Sequence, residues 1–240
     1  MLYHDETCVV VNKLCGEAVE GAGKGMGDLP RMIGEALANK ENAVFQNGLS
    51  LPVAVHRLDV PVTGCALFAL TQEALVFLNT AFAKNENGVQ SVEKHYWAVI
   101  EKPQKQIPLT ASLTHWVLFD AKKNKSYAFD EPGPGRKKAL LEYQVIGEGQ
   151  NYLFVDVKLI TGRHHQIRCQ FEKIGLHIKG DLKYSARRSE PQGGIRLHAR
   201  SLAFPNPSGG DRICVTAEPP ILDALWQAFT SLLTSSKNGL

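Results

Sequence analysis

Residues 152–174 read YLFVDVKLITGRHHQIRCQFEKI, and a change of pattern inside this stretch decides the fold class. Over residues 152–160 every second side chain is apolar, which is the two-residue period of a β-strand. Thr161 and Gly162 end that strand, and residues 163–174 are predicted to form a helix directly after them. The centre of the chain therefore mixes strand and helix.

The rest of the chain also mixes strand and helix patterns. Strands are predicted over residues 9–11, 52–59, 65–70, 95–100, 113–118, 139–146, 197–204 and 213–216. Helices are predicted after the capping residues Asp28 and Thr71 and after the pair Pro219-Pro220. Adjacent strands with interspersed helices indicate an α+β fold with a mixed, mostly antiparallel β-sheet core and flanking helices. Because no long linker divides the sequence, residues 1–240 are predicted to form a single domain.

Composition excludes several classes of protein. Apolar residues make up 44% of the 240 residues and charged residues 21%, as in ordinary globular proteins rather than disordered ones. The N-terminus is not basic and no stretch has the length of a membrane span, so we expect a cytoplasmic protein. The five cysteines are scattered and form no CxxC pair, which argues against a zinc site and a disulfide framework.

Positive charge is concentrated in one part of the sequence. The chain has a formal net charge of +3, but residues 158–200 hold ten Lys and Arg against three acids, a local +7, which leaves the rest at −4. A second basic cluster brackets a Pro/Gly loop and consists of Lys122, Lys123, Lys125, Arg136, Lys137 and Lys138. This concentration is typical of a polyanion-binding surface, although a solvated helix face gives the same count.

Two short segments in the first half of the chain combine chemically capable side chains. In His56-Arg57-Leu58-Asp59, the aspartate ends a predicted strand before Pro61 and Gly64, where it is either a loop catalyst or a turn residue bonded to nearby amides. In the strand Glu93–Val99, alternation places Lys94, Tyr96 and Ala98 on one face and His95, Trp97 and Val99 on the other. Tyr96 is then either a stacking residue for a base or a core tyrosine.

Two further segments follow in the second half. Residues 161–168 place a glycine and several donors at a predicted helix N-terminus, a position that favours anions, and Arg168 reaches inward with a planar fork that suits a carboxylate. Being adjacent, His164 and His165 are predicted to point to different faces of that helix, so a metal site is not expected. Residues 195–199 begin a strand in which Leu197 is a candidate apolar contact for a substrate ring.

Together and in this order, the segments resemble the RluA-type pseudouridine synthases. That family has approximately HRLDxxxSG, KxYxAxV, GRxHQIR and LHA followed by an apolar-Phe-x-x-Pro ending. The matches here are HRLDVPVTG, KHYWAVI, GRHHQIR and LHARSLAFPNP, and VVVNKLCG upstream is similar to the family's VVNKPxG. The resemblance covers residues 8–207.

This resemblance implies roles for named residues. It implies Asp59 as the nucleophile, Arg168 as its buried ion-pair partner, Tyr96 as the aromatic that stacks on the target base and takes part in proton transfer, and Leu197 as an apolar wall. It also implies substrate binding by a wider group: His56, Arg57, Thr63, Arg163, His165 and Gln166. Leu14, Val60-Pro61-Val62 and Thr63 depart from the family pattern, so the target is not transferable from it.

The reaction implied is the isomerisation of uridine in structured RNA, rRNA or tRNA, to pseudouridine without a metal or a cofactor. The target nucleotide has to be flipped out of its stack, and Arg168 would keep the carboxylate of Asp59 ionised in a dry pocket. The protein is expected to be a monomer without a separate S4-like RNA-binding domain. Two alternatives remain open, a non-catalytic RNA-binding protein with this fold and a nucleoside or glycoside hydrolase, although no second acid for a hydrolase stands out.

Overall fold

A computed structural model describes residues 1–23, 25–41, 49–83 and 91–237 of the chain. Its contacts divide the chain into two compact units. Unit 1 comprises Met1–Lys94 and Ala199–Pro220, and unit 2 comprises His95–His198 and Ile221–Leu240. We describe each unit by itself.

The helices and strands are as follows in chain order. The strands are β1 (Tyr3–His4), β2 (Cys8–Lys13), β3 (Glu17–Ala18), β4 (Gly27–Asp28), β5 (Val53–Ala54), β6 (Thr63–Ala69), β7 (Glu93–Glu101), β8 (Thr110–Asp120), β9 (Lys125–Phe129), β10 (Lys137–Glu148), β11 (Tyr152–Leu159), β12 (His177–Ile178), β13 (Leu197–Phe204) and β14 (Ile213–Thr216). The helices are α1 (Leu29–Glu41), α2 (Gln72–Phe82), α3 (Gln166–Lys173) and α4 (Ala224–Lys237), with a short 3-10 helix at Leu182–Tyr184.

Unit 1 is built on a sheet whose strands run in the order β1-β2-β6-β13, with β14 beside β13 and β5 beside β6. The β2–β6 ladder is antiparallel and runs from Cys8 opposite Ala69 to Lys13 opposite Gly64. Helix α2 begins at the N-cap Thr71, whose hydroxyl accepts a hydrogen bond from the amide of Ala74 at 3.1 Å. Its apolar face packs into a core with side chains of β2, β6, β13 and β14.

Unit 2 is built on an antiparallel sheet in the order β7-β11-β10-β8-β9, with β12 on the outer side of β7. Helix α3 is amphipathic, and Phe171 from this helix meets Tyr143 of β10 edge to face at 5.8 Å. On the opposite face of the sheet, Trp97 of β7 packs against Phe229 of α4 with ring centroids 4.6 Å apart. The sheet is therefore covered by a helix on each face.

Most predicted elements are confirmed. Strands β13 and β14 have the predicted bounds, and α1 and α2 begin directly after Asp28 and Thr71. The mostly antiparallel α+β architecture is confirmed as well. Within the residues that the structure describes, every helix is too short or too polar to span a lipid bilayer.

Three predicted elements are wrong in extent. The strand predicted over residues 52–59 is reduced to Val53–Ala54, because the residues that follow form a loop and a turn instead of a ladder. The helix predicted from residue 163 begins at Gln166, after a turn closed by the side chain of that residue. The last helix begins at Ala224 rather than at the proline pair, because its first turn is set by Asp223, whose carboxylate accepts the amide of Trp226 at 3.2 Å.

Candidate active site

Asp59 lies on a turn between β5 and β6 of unit 1. Its carbonyl accepts a hydrogen bond from the amide of Val62 at 2.9 Å, so Val60 and Pro61 occupy the middle of the turn. Leu58, the residue before it, is buried, whereas the side chain of Asp59 is half-buried. The turn therefore anchors the backbone next to Asp59 in the core.

The buried ammonium group of Lys13 donates hydrogen bonds to the backbone of this turn. The side chain of Lys13, at the end of β2, is fully buried, and its Nζ donates to three carbonyls, those of Val62 at 2.7 Å, Leu14 at 2.9 Å and Val60 at 3.0 Å. The amide of Gly16 also donates to Val60 at 3.0 Å. Burial lowers the pKa of Lys13 to about 8, although nearby Glu17, Cys15 and Asp59 act in the opposite direction. Charge-assisted hydrogen bonds from Lys13 thus fix the backbone that presents Asp59.

His56 supports the start of the same loop. Its ring Nε2 accepts a hydrogen bond from the amide of Leu67 in β6 at 3.2 Å, and the ring stacks on Phe82 of α2 at 5.1 Å. Burial, followed by the charge of Lys94, lowers the pKa of His56 to about 3. The ring is therefore neutral at physiological pH, consistent with support of the loop. Arg57, next in sequence, is exposed.

Gly64 follows Asp59 in the same segment and has to be a glycine because the backbone of Ala199 in β13 lies close to it. Gly64 has a φ of +114°, and a Cβ atom at this position would lie 2.3 Å from the carbonyl oxygen and 2.6 Å from the nitrogen of Ala199. Only glycine avoids both the collision and the unfavourable φ. Thr63, which precedes Gly64, begins β6 and is half-buried.

In unit 2, Gln166 closes the turn that leads into α3. Its Oε1 accepts hydrogen bonds from the Thr161 hydroxyl at 2.7 Å and the Arg163 amide at 2.9 Å, and its Nε2 donates to the carbonyl of Leu140 at 3.0 Å. Arg163, which is half-buried, donates from Nε to the carbonyl of Lys138 at 3.1 Å. Gln166 thus shapes this turn, and its predicted contact with substrate stays a prediction.

Arg168 forms a buried, two-pronged ion pair with Asp181. Its Nε lies 2.6 Å from one carboxylate oxygen and an Nη 2.7 Å from the other, and both side chains are at most 5% exposed. The guanidinium also lies 4.8 Å above the ring of Tyr184. The predicted pairing of Arg168 with Asp59 joins a residue of each unit and stays a prediction.

The prediction that His164 and His165 point to different faces of a helix is wrong. His165 is the N-cap of α3 with a left-handed φ of 51°, so His164 precedes the helix, and the two rings stack at 3.8 Å. The Nδ1 of His165 is 2.8 Å from the hydroxyl of Tyr184. The His164–His165 pair is therefore an aromatic stack anchored on Tyr184.

Tyr96 and Leu197 are buried in unit 2. Tyr96 is 7% exposed in β7, opposite Val157 of β11, and Leu197 is 3% exposed at the start of β13. Trp97, the neighbour of Tyr96, packs under α4, so the alternation predicted for β7 is confirmed. Little of the Tyr96 ring is open to solvent.

Comparison with known proteins decides the family. A sequence profile described as RNA pseudouridylate synthase matches residues 7–173, which is most of the chain. The chain belongs to the RNA pseudouridylate synthase family. This confirms the resemblance deduced from the four segments.

Three relatives of this chain are named as pseudouridine synthases. Ribosomal large subunit pseudouridine synthase D of Zymomonas mobilis is 27% identical over 99% of this chain and 74% of its own length. An uncharacterised RNA pseudouridine synthase of Bacillus subtilis is 29% identical over 91% of this chain and 68% of its own length. A third, from Synechocystis, is 27% identical over 92% of this chain but only 65% of its own length. The chain thus spans about two thirds to three quarters of these relatives.

The fold of the family is shared with solved structures. The human protein RNA Pseudouridylate Synthase Domain Containing 4 superposes with a TM-score of 0.70 at 20% identity, over 98% of this chain and 92% of its own. Human RNA Pseudouridylate Synthase Domain Containing 1 gives a TM-score of 0.65 at 19% identity, over 97% and 93%. At such identity the likeness concerns the fold.

Buried acids take up part of the positive charge within residues 158–200. Of the ten basic residues within 158–200, Arg168 is buried with Asp181, and Lys179 and Arg196 both pair with the buried Glu190. Lys158, Lys183, Arg187 and Arg188 are exposed. These pairs take up three cations and two acids, so the other residues within 158–200 keep a net charge of +6, close to the +7 of the whole segment.

A groove of about 370 Å³ lies elsewhere on unit 2. It is lined by polar side chains of four neighbouring strands, among them His95, Glu142, Asp156 and Lys158, and His95 bonds to Asp156 at 3.1 Å. Its lining includes none of the predicted site residues. The groove is therefore not part of the site predicted from sequence.

Proposed function

We propose that this chain is an RNA pseudouridine synthase that isomerises uridine in ribosomal or transfer RNA, with Asp59 as the nucleophile. The observation that carries the proposal is the family match over residues 7–173, which includes the segment around Asp59. The hydrogen bonds from Lys13 to the turn that carries Asp59 support the proposal, because a nucleophile has to be presented by a well-fixed backbone.

The reaction mainly requires a correctly positioned carboxylate. The bond from ribose C1′ to uracil N1 breaks, the base turns, and a bond from C1′ to C5 forms while the C5 hydrogen leaves to solvent and N1 takes up a proton. Asp59 attacks the ribose, attacks the ring or deprotonates the sugar, and these three routes share the need for an ionised carboxylate. Tyr96 is proposed to stack on the flipped base and to assist proton transfer.

The identity of the RNA is supported by the names of relatives alone. The Zymomonas mobilis relative is named for the large ribosomal subunit. We propose an rRNA or tRNA target for this chain, and the RNA that gives the highest turnover identifies which.

Release of tritium from carbon 5 of uracil tests the function. In vitro transcripts of large-subunit rRNA and of a tRNA pool, made with tritium at uridine C5, are incubated with the protein. Tritium in the water with intact RNA and no free uracil is the expected result, since isomerisation exchanges the C5 hydrogen without breaking the chain.

Two other results point to other functions. Free uracil would indicate a hydrolase, and binding without tritium release on any transcript would indicate a non-catalytic RNA-binding protein. Either result would overturn the proposed function.

A further inference from the structure

The hairpin of β8 and β9 in unit 2 carries an aromatic ring at its tip, which we define as residues 119–125. Phe119 is 46% exposed, although large apolar side chains are normally buried. Its ring lies 4.1 Å from that of His164, which in turn stacks on His165 at 3.8 Å. The planes of Phe119 and His164 are tilted by 48°, so Phe119 is the exposed member of a cluster of three rings.

Hydrogen bonds hold the two histidine rings of this cluster. The Nδ1 of His164 is 2.9 Å from the hydroxyl of Ser126 in β9. The Nδ1 of His165 is 2.8 Å from the hydroxyl of Tyr184, and that hydroxyl also bonds to the amide and the carbonyl of Ser126. The ring that Phe119 contacts is therefore fixed before a ligand binds, which lowers the entropic cost of ordering this cluster.

Three lysines lie at the same hairpin tip. Lys122 and Lys123 are exposed at the hairpin tip, where the carboxylate of Asp120 accepts the amide of Lys123 at 3.1 Å. Lys183 is also exposed and donates to the carbonyl of Asn124 at 3.1 Å, so a third ammonium lies at the tip. Leu182, the residue before it, is 59% exposed.

We propose that the hairpin tip binds an unpaired base of the substrate RNA, which stacks on Phe119 while its phosphates contact Lys122, Lys123 and Lys183. An exposed ring that contacts a second, hydrogen-bonded ring and lies on a hairpin tip with ammonium groups has the two parts of a single-strand binding site. RNA fits this charge better than an apolar protein segment does. The inference rests on the proposed function and adds a binding residue outside the predicted site.

Phe77 supplies a matched control. It is an exposed phenylalanine in α2, 43% exposed, and its segment has no comparable run of lysines. Phe119→Ala, Phe119→Trp and Phe77→Ala are compared for binding of a fluorescein-labelled oligouridylate, either single-stranded or annealed to oligoadenylate. Phe119→Leu keeps apolar bulk at the hairpin and separates loss of stacking from loss of fold, which circular dichroism and thermal unfolding check.

We expect Phe119→Ala and Phe119→Leu to weaken binding of the single strand about tenfold, and Phe119→Trp and Phe77→Ala to leave it within about twofold. Binding of the duplex should change little in every variant, because paired bases cannot stack on the ring. Equal loss in Phe77→Ala and Phe119→Ala, or full binding by folded Phe119→Leu, would overturn the inference.

Tritium release separates this inference from the proposed function. If the wild type releases tritium and folded Phe119→Leu has an unchanged KM for the transcript, the stacking site is wrong and the synthase stands. If the wild type binds oligouridylate through Phe119 but releases no tritium, the stacking site stands and the synthase is wrong.

Discussion

At the scale of single residues, hydrogen bonds from a buried lysine fix the backbone of the turn that carries Asp59. Lys13 donates to three carbonyls around that turn and has a pKa of about 8 because of burial. Loss of its proton removes charge-assisted hydrogen bonds from the turn. We therefore expect turnover to fall as pH rises through 8, and Lys13→Met to have low turnover at every pH.

Stability should move in the opposite direction over the same range. In the folded state the pKa of Lys13 is about 8, below the 10.5 of a lysine in water, so the unfolded chain binds more protons between these values. The contribution of Lys13 to the free energy of unfolding therefore rises with pH above 8. Urea titrations of wild type and Lys13→Met from pH 7 to 9 measure the difference, and a parallel fall of stability and turnover would contradict it.

The pair of Arg168 and Asp181 separates a structural role from a catalytic one. Arg168→Met leaves the carboxylate of Asp181 buried without this cation, which should cost about 3–5 kcal/mol of unfolding free energy. Arg168→Met with Asp181→Leu removes both charges and should recover most of that stability. We expect neither variant to release tritium, and turnover restored in the double variant would show that Arg168 only supports the fold.

At the scale of elements, close contact between β6 and β13 depends on one glycine. Gly64→Ala would bring a Cβ atom to 2.3 Å from the carbonyl oxygen of Ala199 at a positive φ, so we expect a loss of at least about 3 kcal/mol or an insoluble product. Gly209→Ala, at a φ of +84° with open space around it, isolates the backbone strain and should cost about 1 kcal/mol. Equal losses in thermal unfolding would show that the contact is not tight.

Elements set by local pattern were predictable, and those set by long-range bonds were not. The alternation of β11 and the cap of α2 act within a few residues, so the sequence alone indicates them. The loop at residues 55–62 has strand-like composition, but it bonds to Lys13, which precedes it by more than forty residues. The pairing of Arg168 with Asp181 depends in the same way on a turn that has no apolar period.

Candidate chemistry was recoverable from sequence only where residue order is specific. The four segments led to the family because their order is distinctive, and Asp59 alone remained ambiguous with a turn aspartate. In the sequence, Lys13 stands out only as part of VVVNKLCG, which is similar to the family's VVNKPxG. A lysine at a strand end is usually exposed, so nothing in the sequence indicates that it is buried. Tyr184 gave no signal, because its hydroxyl bonds across the fold to Ser126 and His165.

At the scale of the whole molecule, exposed positive charge should make RNA binding sensitive to salt. Arg187 and Arg188 are both exposed, and the side chain of Arg187 lies 3.6 Å from the carboxylate of Glu101, which also accepts the amide of Arg187 at 2.9 Å. Replacing both with Glu should flatten the slope of log affinity against log salt by about 1–2, since fewer counterions are released. Arg31→Glu, an exposed arginine of α1, is the control, and a salt-independent affinity of the wild type would exclude the basic surface.

Asp59→Asn tests most directly whether Asp59 is the nucleophile. Asparagine has nearly the same shape and keeps an acceptor oxygen, so a turn residue should tolerate it while a nucleophile should not. We predict that the variant stays folded by circular dichroism, binds RNA and releases no tritium. Turnover within about tenfold of wild type, equivalent to roughly 1.4 kcal/mol of barrier, would contradict the account.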